Sequence, residues 1–305
     1  MHPAPSVIVF TTLSGLGFGL MILLGLGFGP SDPVVGPIAG LAALATAGGG
    51  LMASTFHLGN PQRFLKAFSQ WRSSWLSREG CVSVVLMTLF FAFVVLWFIE
   101  GVPMAAMGLV SAVLAALAVF CTAMIYAQLK TVPRWSCPWT VPMFLGFAIG
   151  GGVIAAALAR AIAGEAIPVE FGIVLIIASA AMFAYRRMSG TITLASAGSS
   201  PETATGLGTL GTVRLLEPPH SSPNYLMKEM VHQIGRKHAE KLGLIAVIMG
   251  IFAPLFLVVL FRTPSAMQIP ALFLALVLHY GGALASRWLF FAEAEHVVGL
   301  YYGQR

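Results

Sequence analysis

CVSVVLMTLFFAFVVLWFI, residues 81–99, runs nineteen positions without a charge. A helix rising 1.5 Å per residue needs about 20 apolar residues to cross the roughly 30 Å of hydrocarbon in a bilayer. The run is continuous rather than alternating, which favours a helix over a strand. Outward from it, seven further stretches read the same way: 6–28, 35–56, 103–126, 141–162, 167–185, 242–261 and 269–288. Only helices and closed barrels satisfy their backbone groups in lipid. The expected fold is therefore all-α: one membrane domain over residues 1–305, a bundle of eight transmembrane helices.

Composition agrees. The chain is 58% hydrophobic and 9% charged, whereas a soluble chain is about one quarter charged. Most of its surface is not made for water, and its apolar content excludes general disorder. Glycine recurs in the first span (Gly15, Gly17, Gly19, Gly25, Gly27) and in the second (Gly48, Gly49, Gly50). Inside lipid such residues let helices approach closely, and they cradle no nucleotide. Cys81, Cys121 and Cys137 lie far apart, with no metal or iron–sulfur spacing.

Two polar segments interrupt the spans. Residues 57–80, HLGNPQRFLKAFSQWRSSWLSREG, are amphipathic and carry Trp71 and Trp75, which suits a segment lying at the interface. Residues 186–241 form a long polar loop. The net charge of +6 sits in such loops, so it concerns topology and docking rather than nucleic acid. Loop 2–3 holds Arg63, Lys66, Arg72 and Arg78, loop 4–5 holds Lys130 and Arg134, and the long loop is more basic still. Only Arg160 and Arg262 mark the other face. The excess of Lys and Arg predicts that both termini and the even-to-odd loops face the cytoplasm.

Ionisable groups in or beside spans are costly and are functional candidates by default. They gather at one depth. His57 ends the second span, Arg78 and Glu79 open the third, and Tyr126 ends the fourth. Arg287 lies 18 residues past Ile269, about 27 Å along the last span. Trp75 and Ser77 sit beside Arg78 and Glu79 and join the candidate set. Such a layer suits a quinone, whose head needs hydrogen-bond donors, a proton route and an apolar slot. Each residue also has a plain structural reading: a cap at His57, an interface pair at Arg78 and Glu79, a snorkelling anchor at Arg287. His279 lies near mid-span, where a buried, hydrogen-bonded histidine stands against a haem b ligand. The haem is the less favoured reading because no second histidine lies mid-span. A secondary transporter is a further alternative, which calls for midplane charges and inverted repeats.

The run from His57 to Gly80 closely resembles the membrane-anchor subunits of dimethyl sulfoxide reductase-type molybdoenzymes. MIYAQLKTVPRWSCPWT (124–140) and LEPPHSSPNYLMKEM (216–230) fit the same family. The resemblance implies an eight-span anchor that does not act on the soluble substrate itself. It implies an iron–sulfur partner subunit and a molybdopterin catalytic subunit, which hold the clusters and the molybdenum. It also implies electron exchange with ubiquinone or menaquinone, with His57 and Glu79 tied to the quinone. Reductases of the family dock their partners outside the cytoplasm, whereas the charge pattern here places the homologous loop inside. That orientation suits the related, cytoplasm-facing sulfite dehydrogenase branch, with a sulfoxide or N-oxide reductase anchor as the alternative.

Overall fold

The computed structural model describes residues 3–56, 60–194, 198–217 and 238–302. Among them stand eight helices long and apolar enough to cross a membrane. They are α1 (Pro5–Gly25), α2 (Val35–Thr55), α3 (Trp75–Glu100), α4 (Ala105–Ala127), α5 (Thr140–Ile162), α6 (Val169–Ser189), α7 (Ala239–Leu260) and α8 (Gln268–Ala292). Among the described residues there is no strand. Each span follows its expected position within a few residues except α3, which starts six residues earlier than the apolar run at Cys81. The extension is polar in sequence, yet Ser77 and Glu79 are buried in it, and the Ser74 hydroxyl caps it by accepting from the Ser77 N–H.

α1 is the axis of the bundle, packed against α2, α4, α5 and α8. A helix apolar on all sides belongs at such a centre, and Phe18, Met21 and Leu24 are almost wholly buried in it. Its glycines set the spacing. Gly17 meets the backbone of Ala43 and Ala47 in α2, Gly19 meets the carbonyl of Ala148 in α5, and Gly25 meets the carbonyl of Gly108 in α4. A methyl group at Gly19 would occupy the space of the Ala148 carbonyl oxygen. These contacts are the close helix packing that small residues permit in lipid.

α7 is interrupted by a π-helical turn, Ile248–Phe252, just before Pro254. Pro254 lacks the N–H that would close an α-helical bond onto the Gly250 carbonyl. That carbonyl lies 2.8 Å from Nδ1 of His279 in α8, which donates to it. Nε2 of the same ring lies 3.2 Å from the Phe147 carbonyl oxygen in α5. His279 thus ties three helices together, and a Cβ at Gly150 or Gly151 would stand 3.2 Å from its ring. Both ring nitrogens face backbone carbonyls, and since a neutral imidazole carries a single N–H, one of the two contacts is a hydrogen bond at a time.

Ion pairs fasten both ends. At the end where α6 and α8 finish, Glu293 pairs with Arg186 at 2.6 Å and with Arg134 at 3.5 Å. At the other end Arg160 donates to the Gly29 carbonyl at 2.8 Å and pairs with Glu165 at 2.8 Å. The Asp32 carboxylate there accepts the N–H groups of Val34 and Val35, both at 2.8 Å, at the head of α2. Those two bonds hold its carboxyl below the usual carboxylate range.

The two polar segments are partly described. After residue 60 the 57–80 stretch forms a 3₁₀ helix, Pro61–Phe68, and then enters α3. The long loop contains a short helix, Pro201–Thr205, closed by a capping box between Ser200 and Thr203. Residues 195–197 and 218–237 of that loop lie outside the described residues.

Candidate functional site

A cleft of about 380 Å³ opens on the outside of the bundle between α2 and α3. Leu51, Ser54 and Thr55 of α2 form one wall, and Gly80, Val84, Met87 and Thr88 of α3 form the other. Phe10 of α1 lies behind, and Ala67 and Phe68 of the 3₁₀ helix cover one end. Leu76 and Val84, on its rim, are about half exposed on a surface that hydrocarbon must cover.

Besides Thr88, two polar side chains line this cleft from α3, Glu79 and Ser83, four residues apart and so on one helical face. Glu79 is 2% exposed, and the Thr122 hydroxyl of α4 donates to its carboxylate. No cation pairs with it among the described residues. The Ser83 hydroxyl is buried with no hydrogen-bond partner. Buried polar groups are nearly always bonded, so an orphan hydroxyl at a cleft calls for an explanation.

The segment before Glu79 builds the cover. The Ser77 hydroxyl donates to the Ala67 carbonyl and so ties the 3₁₀ helix to α3. Arg78 turns the other way. It donates to the carbonyls of Trp71 (3.0 Å) and Arg72 (2.7 Å), and its guanidinium lies 4.2 Å from the centre of the Trp75 ring. Trp75 in turn meets Phe120 of α4 edge to face, 5.6 Å between ring centres. Trp75, Ser77 and Arg78 therefore shape the loop over the cleft and do not line it.

Tyr126 and Arg287 lie deeper in the bundle and also do not line the cleft. Tyr126 is packed among Trp135, Phe144, Phe290 and Phe291, with ring centres 5.3–5.7 Å away. Arg287 is 3% exposed, with its guanidinium 3.4 Å from the centre of the Phe144 ring and Nη1 3.3 Å from the Met143 sulfur. It is not a snorkelling anchor, because the helix continues to Ala292 and the head group turns inward. The expected set divides in two: Glu79 lines the cleft, while Tyr126 and Arg287 are packed away from it in the bundle. His57 lies outside the described residues.

Sequence reasoning did not single out Ser83 or Thr122. A period-four reading from Glu79 reaches Ser83, and the same step back from Tyr126 reaches Thr122.

Fold and site together define a polytopic membrane protein with a buried acid at a cleft on its apolar surface. Residues 1–303 match the model of the DMSO reductase anchor subunit, so the chain belongs to that family. It is also 32% identical, over 99% of both chains, to a sulfite dehydrogenase subunit of Allochromatium vinosum. No solved structure matches it. The chain is a membrane-anchor subunit of a molybdoenzyme. Anchors of this kind pair with catalytic and iron–sulfur subunits.

Proposed function

We propose that the α2–α3 cleft is where this anchor exchanges electrons with membrane quinone, and that Glu79 is the proton-transfer group there. One observation carries the reading. A buried carboxylate and an unpartnered hydroxyl share one helical face at an apolar cleft of about 380 Å³ on the lipid-facing surface. Bound quinone supplies two-electron, two-proton redox chemistry. Phe10, Leu51, Val84 and Met87 offer an apolar slot for a ring and tail. The Ser83 O–H is free to donate to a carbonyl oxygen. Glu79 delivers or removes the proton, a role carboxylates fill when burial and neighbours tune them. Phe68 and Leu76 exclude water from the covered end. His57 follows Thr55 by two residues in sequence and is kept as a second proton-transfer group on that ground alone. Tyr126 and Arg287 support the site from behind rather than by touching the ring.

The partners in this reading are an iron–sulfur subunit docked over loops 2–3 and 4–5 and a molybdopterin subunit beyond it. The Lys and Arg excess on those loops supports a cytoplasmic location for that face and for both termini, in a bacterial inner membrane. A cytoplasmic docking face favours sulfite oxidation with reduction of ubiquinone or menaquinone, in line with the name of the Allochromatium relative. The family model's description supports the second reading, quinol oxidation for a sulfoxide or N-oxide reductase.

The purified complex distinguishes the two by its sulfite-to-quinone and quinol-to-sulfoxide activities. A C-terminal fluorescent-protein fusion should glow; a dark fusion beside a working periplasmic reporter reverses the orientation. Glu79→Gln should remove quinone turnover while dye-linked turnover by the partner subunits reports assembly. Undiminished quinone turnover in that variant would sink the site.

A further inference from the structure

The polar atoms continue inward from Glu79. Thr122 also lines a cavity of about 20 Å³ between α1, α4, α5 and α8. Thr12, Ser14, His279 and Arg287 add to its polar lining. A buried water requires roughly 10–15 Å³ and two to four polar partners. Both conditions are met. The hydroxyls of Thr12 and Ser14 donate to their own helix, to Ile8 at 2.8 Å and Phe10 at 2.6 Å, which leaves their lone pairs to accept. The Arg287 guanidinium supplies donors, and among the described residues no carboxylate lies within ion-pair distance of it.

Thr122 has the geometry of a relay. Its single hydroxyl hydrogen has two acceptors in reach, the Glu79 carboxylate and the Ala118 carbonyl at 3.0 Å. When Glu79 is ionised, the hydroxyl donates to it. When Glu79 carries the proton, the carboxyl donates to Thr122 Oγ1 and the threonine hydrogen turns to Ala118. Both states are satisfied without moving a helix.

We propose that this cavity holds an ordered water and that Thr122 passes protons between that water and Glu79, so that Glu79 exchanges protons through the bundle interior. The proposal rests on the quinone reading of the cleft. In the reducing direction Glu79 gives its proton to a quinone oxygen. The Thr122 hydrogen then moves to the carboxylate, a hydrogen of the cavity water replaces it, and the water recovers a proton from the aqueous phase. One proton is taken from solvent for each one delivered, and the electrons come from the iron–sulfur partner. The cleft mouth, which quinone occupies, is not needed as a proton entrance.

The test uses the intact complex with four variants: Thr122→Val, Thr122→Ser, Gly15→Ala and Glu79→Gln. Gly15 lines the cavity, and a Cβ there meets nothing closer than Ala148 Cβ at 3.9 Å, so alanine fills space without a clash. Alanine also favours the helix over glycine. Thr122→Val should lower quinone turnover about tenfold, short of the roughly hundredfold or more for loss of Glu79, which hands the proton to the quinone itself. Thr122→Ser should restore it, and Gly15→Ala should lower it by displacing the water. In difference infrared spectra, the Glu79 carboxyl band should shift in Thr122→Val and return in Thr122→Ser, and reprotonation of Glu79 should slow in Gly15→Ala with the band position unchanged; a merely structural hydrogen bond would give the shift without that slowing. Wild-type turnover in Thr122→Val and Gly15→Ala beside an inactive Glu79→Gln overturns the relay and leaves the cleft standing. Full activity in Glu79→Gln overturns the cleft and the relay with it. If Thr122→Val does not assemble, Gly15→Ala decides: wild-type turnover rejects the water path.

Discussion

Two grooves of nearly equal size lie on the outside of this bundle, about 380 Å³ between α2 and α3 and about 400 Å³ between α6 and α7. They lie at opposite ends. The second is walled by Ile173, Ile176, Val258 and Val259, with the polar side chains Arg262 and Thr263 at its rim. It holds no carboxylate. The first holds Glu79 and the unpartnered Ser83 hydroxyl at its wall. Grooves form wherever membrane helices diverge, so volume alone does not mark a site. Buried polar atoms left for a ligand do, because each costs stability until something bonds it.

The largest effect should come from the carboxylate. Glu79→Gln keeps the shape and removes the transferable proton, and quinone turnover should fall roughly a hundredfold or more. Ser83→Ala comes next. A hydrogen bond to one quinone oxygen is worth about 1 kcal/mol, so the KM for quinone should rise about fivefold with kcat little changed. Arg287→Met sharpens the same contrast by its stability. A buried cation without a carboxylate is costly, and an apolar residue of similar length should raise thermal stability by on the order of 1 kcal/mol. A fall instead would show that its contact with the Phe144 ring outweighs desolvation. In the second groove Gly172→Ala adds a methyl in ordinary contact with Val259, 3.5 Å away. Turnover there should stay within about twofold, the scatter of a neutral surface change.

The smallest effect concerns Asp32, at the far end of the helix that walls the cleft. Its folded-state carboxyl is held low by two backbone donors. Its capping contribution is therefore present above the ordinary carboxylate range and is lost as pH falls through the folded value. Thermal unfolding should show a slight acid-side loss that Asp32→Ala removes, with the KM for quinone unaffected.

The bundle was largely legible in the sequence because hydropathy reports burial in lipid directly. The start of α3 was not, because Ser77 and Glu79 look like loop residues until Ala67 and Thr122 are seen to satisfy them. Glu79 itself was legible, as a carboxylate abutting nineteen uncharged residues. Arg287 was found but placed at a boundary, since nothing in one sequence reveals that Phe144 lies beneath its head group. Ser83 and Thr122 were not singled out. Hydroxyl residues are common in membrane helices and usually bond the carbonyl one turn back, as Thr12, Ser14, Thr88 and Ser111 do here. Only packing separates Ser83, which has no partner, and Thr122, which has a second one.

The central claim is that quinone meets this anchor at the α2–α3 cleft. Photolabelling of the intact complex with an azido-quinone, followed by mapping of the labelled peptides, tests it directly. The label should fall on residues 51–55 and 76–88 and should be displaced by unlabelled quinone. Label that falls instead on 167–176 and 258–263, displaced in the same way, would contradict the account.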